Sequence, residues 1–133
     1  MKRQNISSGA PWEAIVGYSR AVRVGPFVQV AGTTAVDEQG QTIAPGNPYG
    51  QTIAILEKIQ QSLTAAGAAL TDVVRTRIFV VNMADWEEIG RAHGEFFREI
   101  RPAATMIEVS RLINPGLLVE IEADAIVWDG GMD

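Results

Sequence analysis

The sequence predicts an α+β domain in which two helices cover one face of a sheet. Three observations carry that prediction. A valine-rich stretch in the first quarter has the look of paired strands, two separate segments show helical apolar spacing, and the last apolar segment alternates strictly between two residue sets. The chain has 133 residues, 47% of them hydrophobic and 20% charged. That length fits a single domain, residues 1–133, with one core.

The run Ile15 to Ala31 is rich in valine and is interrupted by Gly25-Pro26. Val22 and Val24 precede the break and Phe27, Val28 and Val30 follow it, which predicts a hairpin. Asp37-Glu38-Gln39-Gly40 is a second turn. Asn47-Pro48 predicts the start of the first helix, because Asn can accept from the free amides of the first turn and Pro lacks an amide that would go unpaired there. Ile55, Leu56, Ile59 and Leu63 give that helix one apolar stripe, and Gly67 suits its C-terminal stop. Asp72 to Val81 reads as a strand, with Val74, Ile78 and Val80 on one face. Asp85, with Glu88 three residues on, predicts a capped second helix. Its face is Trp86, Ile89, His93, Phe96 and Ile100, and Arg101-Pro102 ends it. Two strands close the chain, Ala104 to Ser110 and Leu117 to Trp128, with Asn114-Pro115-Gly116 between them. In the last strand Val119, Ile121, Ala123, Ala125 and Val127 share one face; Leu118, Glu120, Glu122, Asp124 and Ile126 share the other. Apolar residues on both faces of the first and fourth strands predict that the sheet's second face is partly buried against another copy of the chain.

Composition excludes several chemistries. There is no cysteine, so disulfides, thiolate metal sites and cysteine nucleophiles are ruled out. The single histidine, His93, cannot form a two-histidine metal site. A net charge of −5, a pI near 4.8 and no basic cluster leave nucleic acid without electrostatic support. No apolar run approaches the roughly 20 residues that span a bilayer. The N-terminal residues lead into no apolar signal segment, so no membrane partner and a cytoplasmic location are expected. No nucleophile elbow, P-loop or dinucleotide fingerprint is present.

His93 could act as a general base, but its place in an apolar helix stripe favours a packed or interface histidine. Glu120, Glu122 and Asp124 on one strand face could hold a hard cation or form an acid–base pair. Nine arginines against two lysines favour arginine pairing for Glu122 and Asp124. Arg75 and Arg77, on one face of the fourth strand, could bind an anion or pair with that acidic face. These residues define no reaction by themselves.

Gly17-Tyr18-Ser19-Arg20-Ala21-Val22 and Val28-Gln29-Val30-Ala31-Gly32-Thr33-Thr34 resemble the opening of the RidA (YjgF-like) family. Gln51-Thr52, Ala66-Gly67, Asp72-Val73-Val74-Arg75-Thr76, Phe96-Phe97, Arg101-Pro102-Ala103 and Val119-Glu120-Ile121-Glu122-Ala123 extend the resemblance from about Ile6 to Val127. It implies a chorismate-mutase-like α+β fold, a mixed sheet of about six strands with two helices on one face. It also implies a homotrimer with ligand clefts between subunits, and hydrolysis of reactive imines or enamines to carbonyl compounds and ammonia. No metal or organic cofactor is implied.

On that resemblance Glu120 and Tyr18 are the candidate catalytic residues, and Gly32 lines the pocket. Where the family carries a carboxylate-binding arginine in a Pro-Ala-Arg-Ser segment, this chain reads Pro102-Ala103-Ala104-Thr105, so Ala104 replaces the arginine. Loss of a bidentate arginine contact should weaken binding of a simple 2-imino acid by about 10- to 100-fold. Thr105 replaces serine, Met106 stands where many members have cysteine, Gly90 replaces an asparagine, and His93 replaces a tyrosine one helical turn later. Either Arg77 or Arg101 supplies a relocated cation, or the ligand lacks a carboxylate and the pocket is more apolar. The second is favoured, because a relocated arginine needs a new approach geometry. The alternative to catalysis is a trimer that only binds a small molecule or acts as a chaperone.

Overall fold

Residues Val119–Ile126 alternate apolar and polar side chains, and they form the central strand of one sheet, with Val119, Ile121, Ala123 and Ala125 buried. The structure is a computed structural model and describes residues 1–128. Its strands are β1 (Arg3–Ile6), β2 (Ala21–Val24), β3 (Phe27–Thr34), β4 (Val73–Val80), β5 (Ala103–Glu108) and β6 (Val119–Ile126). Helices α1 (Pro11–Val16), α2 (Pro48–Ala65) and α3 (Trp86–Phe97) connect them. The strand order is β1-β2-β3-β6-β4-β5. Every neighbouring pair is antiparallel except β4 and β5, which are parallel and joined through α3. The sheet is therefore mixed, and a parallel pair needs such a crossover.

The long helices lie side by side on one sheet face, α2 against β3 and β6. Ile55, Leu56, Ile59 and Leu63, the stripe read from spacing, are fully buried. Each contributes about 1.5–3 kcal/mol on burial. Asn47 caps α2, its side-chain oxygen accepting from the Gly50 amide at 2.9 Å. Gly67 follows the helix with φ +78, the left-handed stop that Gly permits. Asn47→Ala should cost about 1 kcal/mol, read as a shift in a reversible denaturant melt.

Several elements differ from the sequence reading. Ile15 and Val16 end α1 rather than start a hairpin, and both are exposed. The hairpin itself begins at Ala21 and turns at Gly25-Pro26. β1 is an added edge strand whose Arg-Gln-Asn-Ile sequence lacks any apolar alternation. Val74 does not share the buried face of Ile78 and Val80. Val73 pairs with Ala125 and Arg75 with Asp124, so Val74 is the extra residue of a bulge and is 38% exposed. Asp85 does not cap α3 with its side chain. A single 3-10 turn (Met83–Asp85) intervenes, and Asn82 caps that instead, accepting from Ala84 N at 3.0 Å. Trp86, the first residue of α3, lies outside the core, 54% exposed, while Ile89, Ala92 and Phe97 are buried. Beyond α3, Arg101 takes φ +57 and donates its amide to Phe97 O at 2.8 Å, which turns the chain before Pro102.

Candidate functional site

A second bulge builds the centre of the site. Val30 pairs with Ala123 and Thr33 with Ile121, so Ala31 and Gly32 together face Glu122. This bends β3 and brings Gly32 against Glu120. A Cβ on Gly32 would collide with Glu120 Oε2 and lie 3.1 Å from its Cδ. Any side chain at position 32 would force the Glu120 carboxyl to move. Burial pushes the Glu120 pKa up, the Arg20 guanidinium pulls it back and the Glu122 charge raises it further; the net direction is upward.

Tyr18 reaches the same corner through the turn after α1. The Gly17 and Tyr18 amides both donate to Glu13 O, at 2.9 and 3.0 Å, and Gly17 takes φ +87. The Arg20 guanidinium carbon lies 5.7 Å from the centre of the Tyr18 ring, within cation–π range, and Arg20 Nη2 donates to the Gly32 carbonyl. Lys58 of α2 completes the surroundings, donating to Thr34 O at 2.8 Å and Val36 O at 3.0 Å. Burial, with Arg20 nearby, lowers its pKa.

The other candidates gather at the opposite end of the sheet. His93 Nε2 lies 2.9 Å from Thr76 Oγ1, and its ring centre is 4.7 Å from that of Phe97. Thr76 pairs in register with Ala104, and Ile78 with Met106, so Ala104 and Met106 share the helix-side parity of β5. Met106 packs against the core. Gly90 lies one turn before His93, with open space where a Cβ would be. Thr105 pairs with Arg77 and has the opposite parity.

Burial lowers the His93 pKa, so the folded protein resists its protonation. Because the folded value lies below the unfolded 6.5, this contribution is present above 6.5 and lost as pH falls through the folded value. Thermal stability should therefore fall on acidification below 6.5, and His93→Gln should flatten that part of the Tm–pH curve.

Arg77 is not beside Ala104. It lies on the open face, 3.3 Å from Glu122 Oε1 and 3.1 Å from Asp124 Oδ2. The acidic strand face is thus partly an arginine-paired face, while Glu120 stands apart from it. Arg101 is exposed at its turn. A concavity of about 820 Å³ on the open face is lined by Tyr18, Gln29, Arg77, Glu122 and Asp124, among others; Glu120 and Gly32 lie outside its lining. Sequence reasoning passed over Arg20, whose signal was its place two residues after Tyr18 in the segment Gly17 to Val22.

The six-stranded mixed sheet, with two helices on one face and a carboxyl held against a bulge glycine, defines a small α+β domain of the chorismate-mutase-like class. The family model described as Endoribonuclease L-PSP matches residues 8–127. The chain belongs to this family, the RidA (YjgF-like) proteins. A crystal structure from Mycobacterium tuberculosis, described as a member of the YjgF/YER057c/UK114 family, superposes with a TM-score of 0.86 at 50% identity. That match covers 95% of this chain and 100% of the other. The 3-aminoacrylate deaminase RutC of Acinetobacter baylyi is 34% identical over 122 residues, 92% of this chain and 95% of the relative. A RutC family protein of Pyrococcus horikoshii is 36% identical over 125 residues, 94% and 98% of the two chains. Among the described residues no helix is long and apolar enough to cross a membrane.

Proposed function

We propose that the chain works as a homotrimer that hydrolyses a small reactive imine or enamine in clefts between subunits, on a substrate unlike the simple 2-imino acids. The observation that carries this reading is the half-buried Glu120 carboxyl, raised in pKa and pressed against Gly32. A carboxylate whose pKa is raised by burial is a stronger base than an exposed one, which suits it to accept a proton from an attacking water. Water attacks the C=N carbon as Glu120 accepts its proton; the nitrogen is protonated, the C–N bond breaks, and a carbonyl compound and ammonia leave. Tyr18 and the Gly32 backbone orient the substrate. Gly90, His93, Ala104, Thr105 and Met106, at the other end of the sheet, supply the facing wall from a second copy. That wall carries no arginine, which argues against the usual anchoring of a 2-imino carboxylate.

The named activity of the Acinetobacter baylyi relative supports the reaction class, since a 3-aminoacrylate is an enamine. The endoribonuclease wording of the family description is not extended to this chain, whose net charge is −5 and whose Arg77 is already paired.

The test is ammonia release from a panel of freshly generated imines and enamines. Glu120→Gln should lower turnover by about 100-fold or more. Its stability should move the other way. A folded carboxyl pKa raised above 4.5 means the contribution is present below 4.5 and lost as pH rises through the folded value. Glu120→Gln should therefore melt no lower than wild type at neutral pH, with the difference shrinking in acid. Ligand-dependent thermal shifts without turnover of any panel member would establish the binding-only trimer instead.

A further inference from the structure

We propose that Lys58 is a positioning residue for Glu120: from α2 it holds the far end of the β3 bulge and so keeps Gly32 closed against the carboxyl. This rests on the hydrolytic reading above and adds how its general base is held in place.

A bulge interrupts the regular ladder and leaves main-chain groups that need other partners. Side chains supply them here. Thr33 Oγ1 donates to Ala31 O at 2.8 Å, Arg20 Nη2 donates to Gly32 O, and Lys58 Nζ donates to Thr34 O at 2.8 Å. Lys58 also donates to Val36 O at 3.0 Å. The Val36 amide donates to the same Thr34 carbonyl at 3.0 Å, so one ammonium spans the turn that ends β3. Thr34 is the residue that faces Glu120 in register. On its other side Glu120 pairs with Phe79, within an unbroken series that runs from Arg75 and Asp124 to Val80 and Val119. The β4 side is therefore regular at Glu120. Freedom in the place of the carboxyl lies on the β3 side, where Lys58 holds.

The chemistry of the side chain suits this task. An ammonium is donor-only, so it can serve two carbonyls of one turn at once. Lys58 is half-buried, and burial costs it hydration. Among the described residues no carboxylate lies within ion-pair distance of it. The Asp37 charge acts on it favourably and the Arg20 charge unfavourably. The charges that act on Glu120 are those of Arg20 and Glu122. Lys58 therefore reaches Glu120 through the backbone it grips, not through its own field. Without that grip the Thr34 and Val36 carbonyls turn to water, β3 relaxes beyond the bulge, and Gly32 parts from the carboxyl.

The experiment compares wild type, Lys58→Met and Lys58→Arg, each also combined with Glu120→Gln. Met keeps an unbranched apolar stem without donors; Arg restores donors and charge. For imine hydrolysis kcat should fall about 10- to 100-fold in Lys58→Met with KM little changed. Lys58→Arg should recover most of that loss. In the Glu120→Gln background Lys58→Met should cost nothing further, because Lys58 acts through the carboxyl. A second arm needs no turnover: the Glu120 carboxyl carbon is titrated by NMR, its signal assigned by its absence from Glu120→Gln. Burial is the main cause of the raised Glu120 pKa, so a loosened bulge should move the titration to lower pH in Lys58→Met, and Lys58→Arg should restore it. A Glu120 titration that stays in place in folded Lys58→Met, or an equal loss of kcat with and without Glu120, would overturn the assignment. Should Lys58→Met melt too low to assay, Lys58→Gln, which keeps an amide donor, takes its place with a smaller shift in the same direction. If wild type hydrolyses no imine yet the titration moves in Lys58→Met and returns in Lys58→Arg, the hydrolytic reading fails and the positioning role stands. If wild type and Lys58→Met hydrolyse imines equally well with the titration unmoved, the reverse holds.

Discussion

Gly32→Ala should lower the proposed imine hydrolysis by about 100-fold or more while leaving the fold in place. The added methyl would collide with Glu120 Oε2 and crowd Cδ at 3.1 Å. Gly32 has no positive φ, so the backbone accepts alanine without strain and the whole effect falls on the carboxyl. Glu120 has to swing away from the bulge. A displacement of about 1 Å at a reacting group can cost about 100-fold in rate. The diagnostic result is a coupled pair. Gly32→Ala/Glu120→Asp, which withdraws the carboxyl by one methylene, should lose much less than the sum of its two single variants. Strict additivity would mean that the two residues do not share one site.

The largest loss of stability should come from Gln51→Ala. Gln51 is fully buried on α2 and ties three segments together. Its Oε1 accepts from Leu118 N at 2.9 Å, and its Nε2 donates to Gly116 O at 3.0 Å and Ala44 O at 3.4 Å. Truncation leaves main-chain groups of the turn into β6 without partners, each costing about 1–3 kcal/mol, and adds a cavity. The expected total is about 3–5 kcal/mol, read as a lower midpoint in chemical denaturation with an unchanged slope. Gln51→Met, which fills the space without hydrogen bonds, should recover only the cavity part.

Much of the fold was legible because packing and sequence pattern agree. Val119 to Val127 alternates since one face meets α2 and the other does not. Ile55, Leu56, Ile59 and Leu63 repeat at helical spacing since one stripe meets the sheet. Asn47-Pro48 works locally and needs no tertiary context. The misses share the opposite cause. Arg3–Ile6 becomes a strand only because β2 offers an edge to pair with. Val74 leaves its expected face because a bulge resets the alternation, and Trp86, the first residue of α3, is 54% exposed and leaves the buried stripe to Ile89, Ala92 and Phe97. The site was legible in its residue types but not in its grouping. Spacing could not reveal that Arg77 would meet Glu122 and Asp124, that His93 would meet Thr76, or that the Arg20 charge would act on Glu120. Those contacts join residues more than a dozen positions apart, and only the sheet order brings them together.

That sheet order also bears on how the molecule is made. β6 is the last of the described strands to leave the ribosome, yet it lies between β3 and β4. Without β6, β3 and β4 each have an open hydrogen-bonding edge on the side where it fits. Nascent chains halted before Val119 thus present two sticky edges and an uncovered stripe on α2, a target for chaperones and for aggregation. The final strand acts as a keystone, and a premature stop upstream of it should yield degraded or insoluble product rather than a smaller working domain.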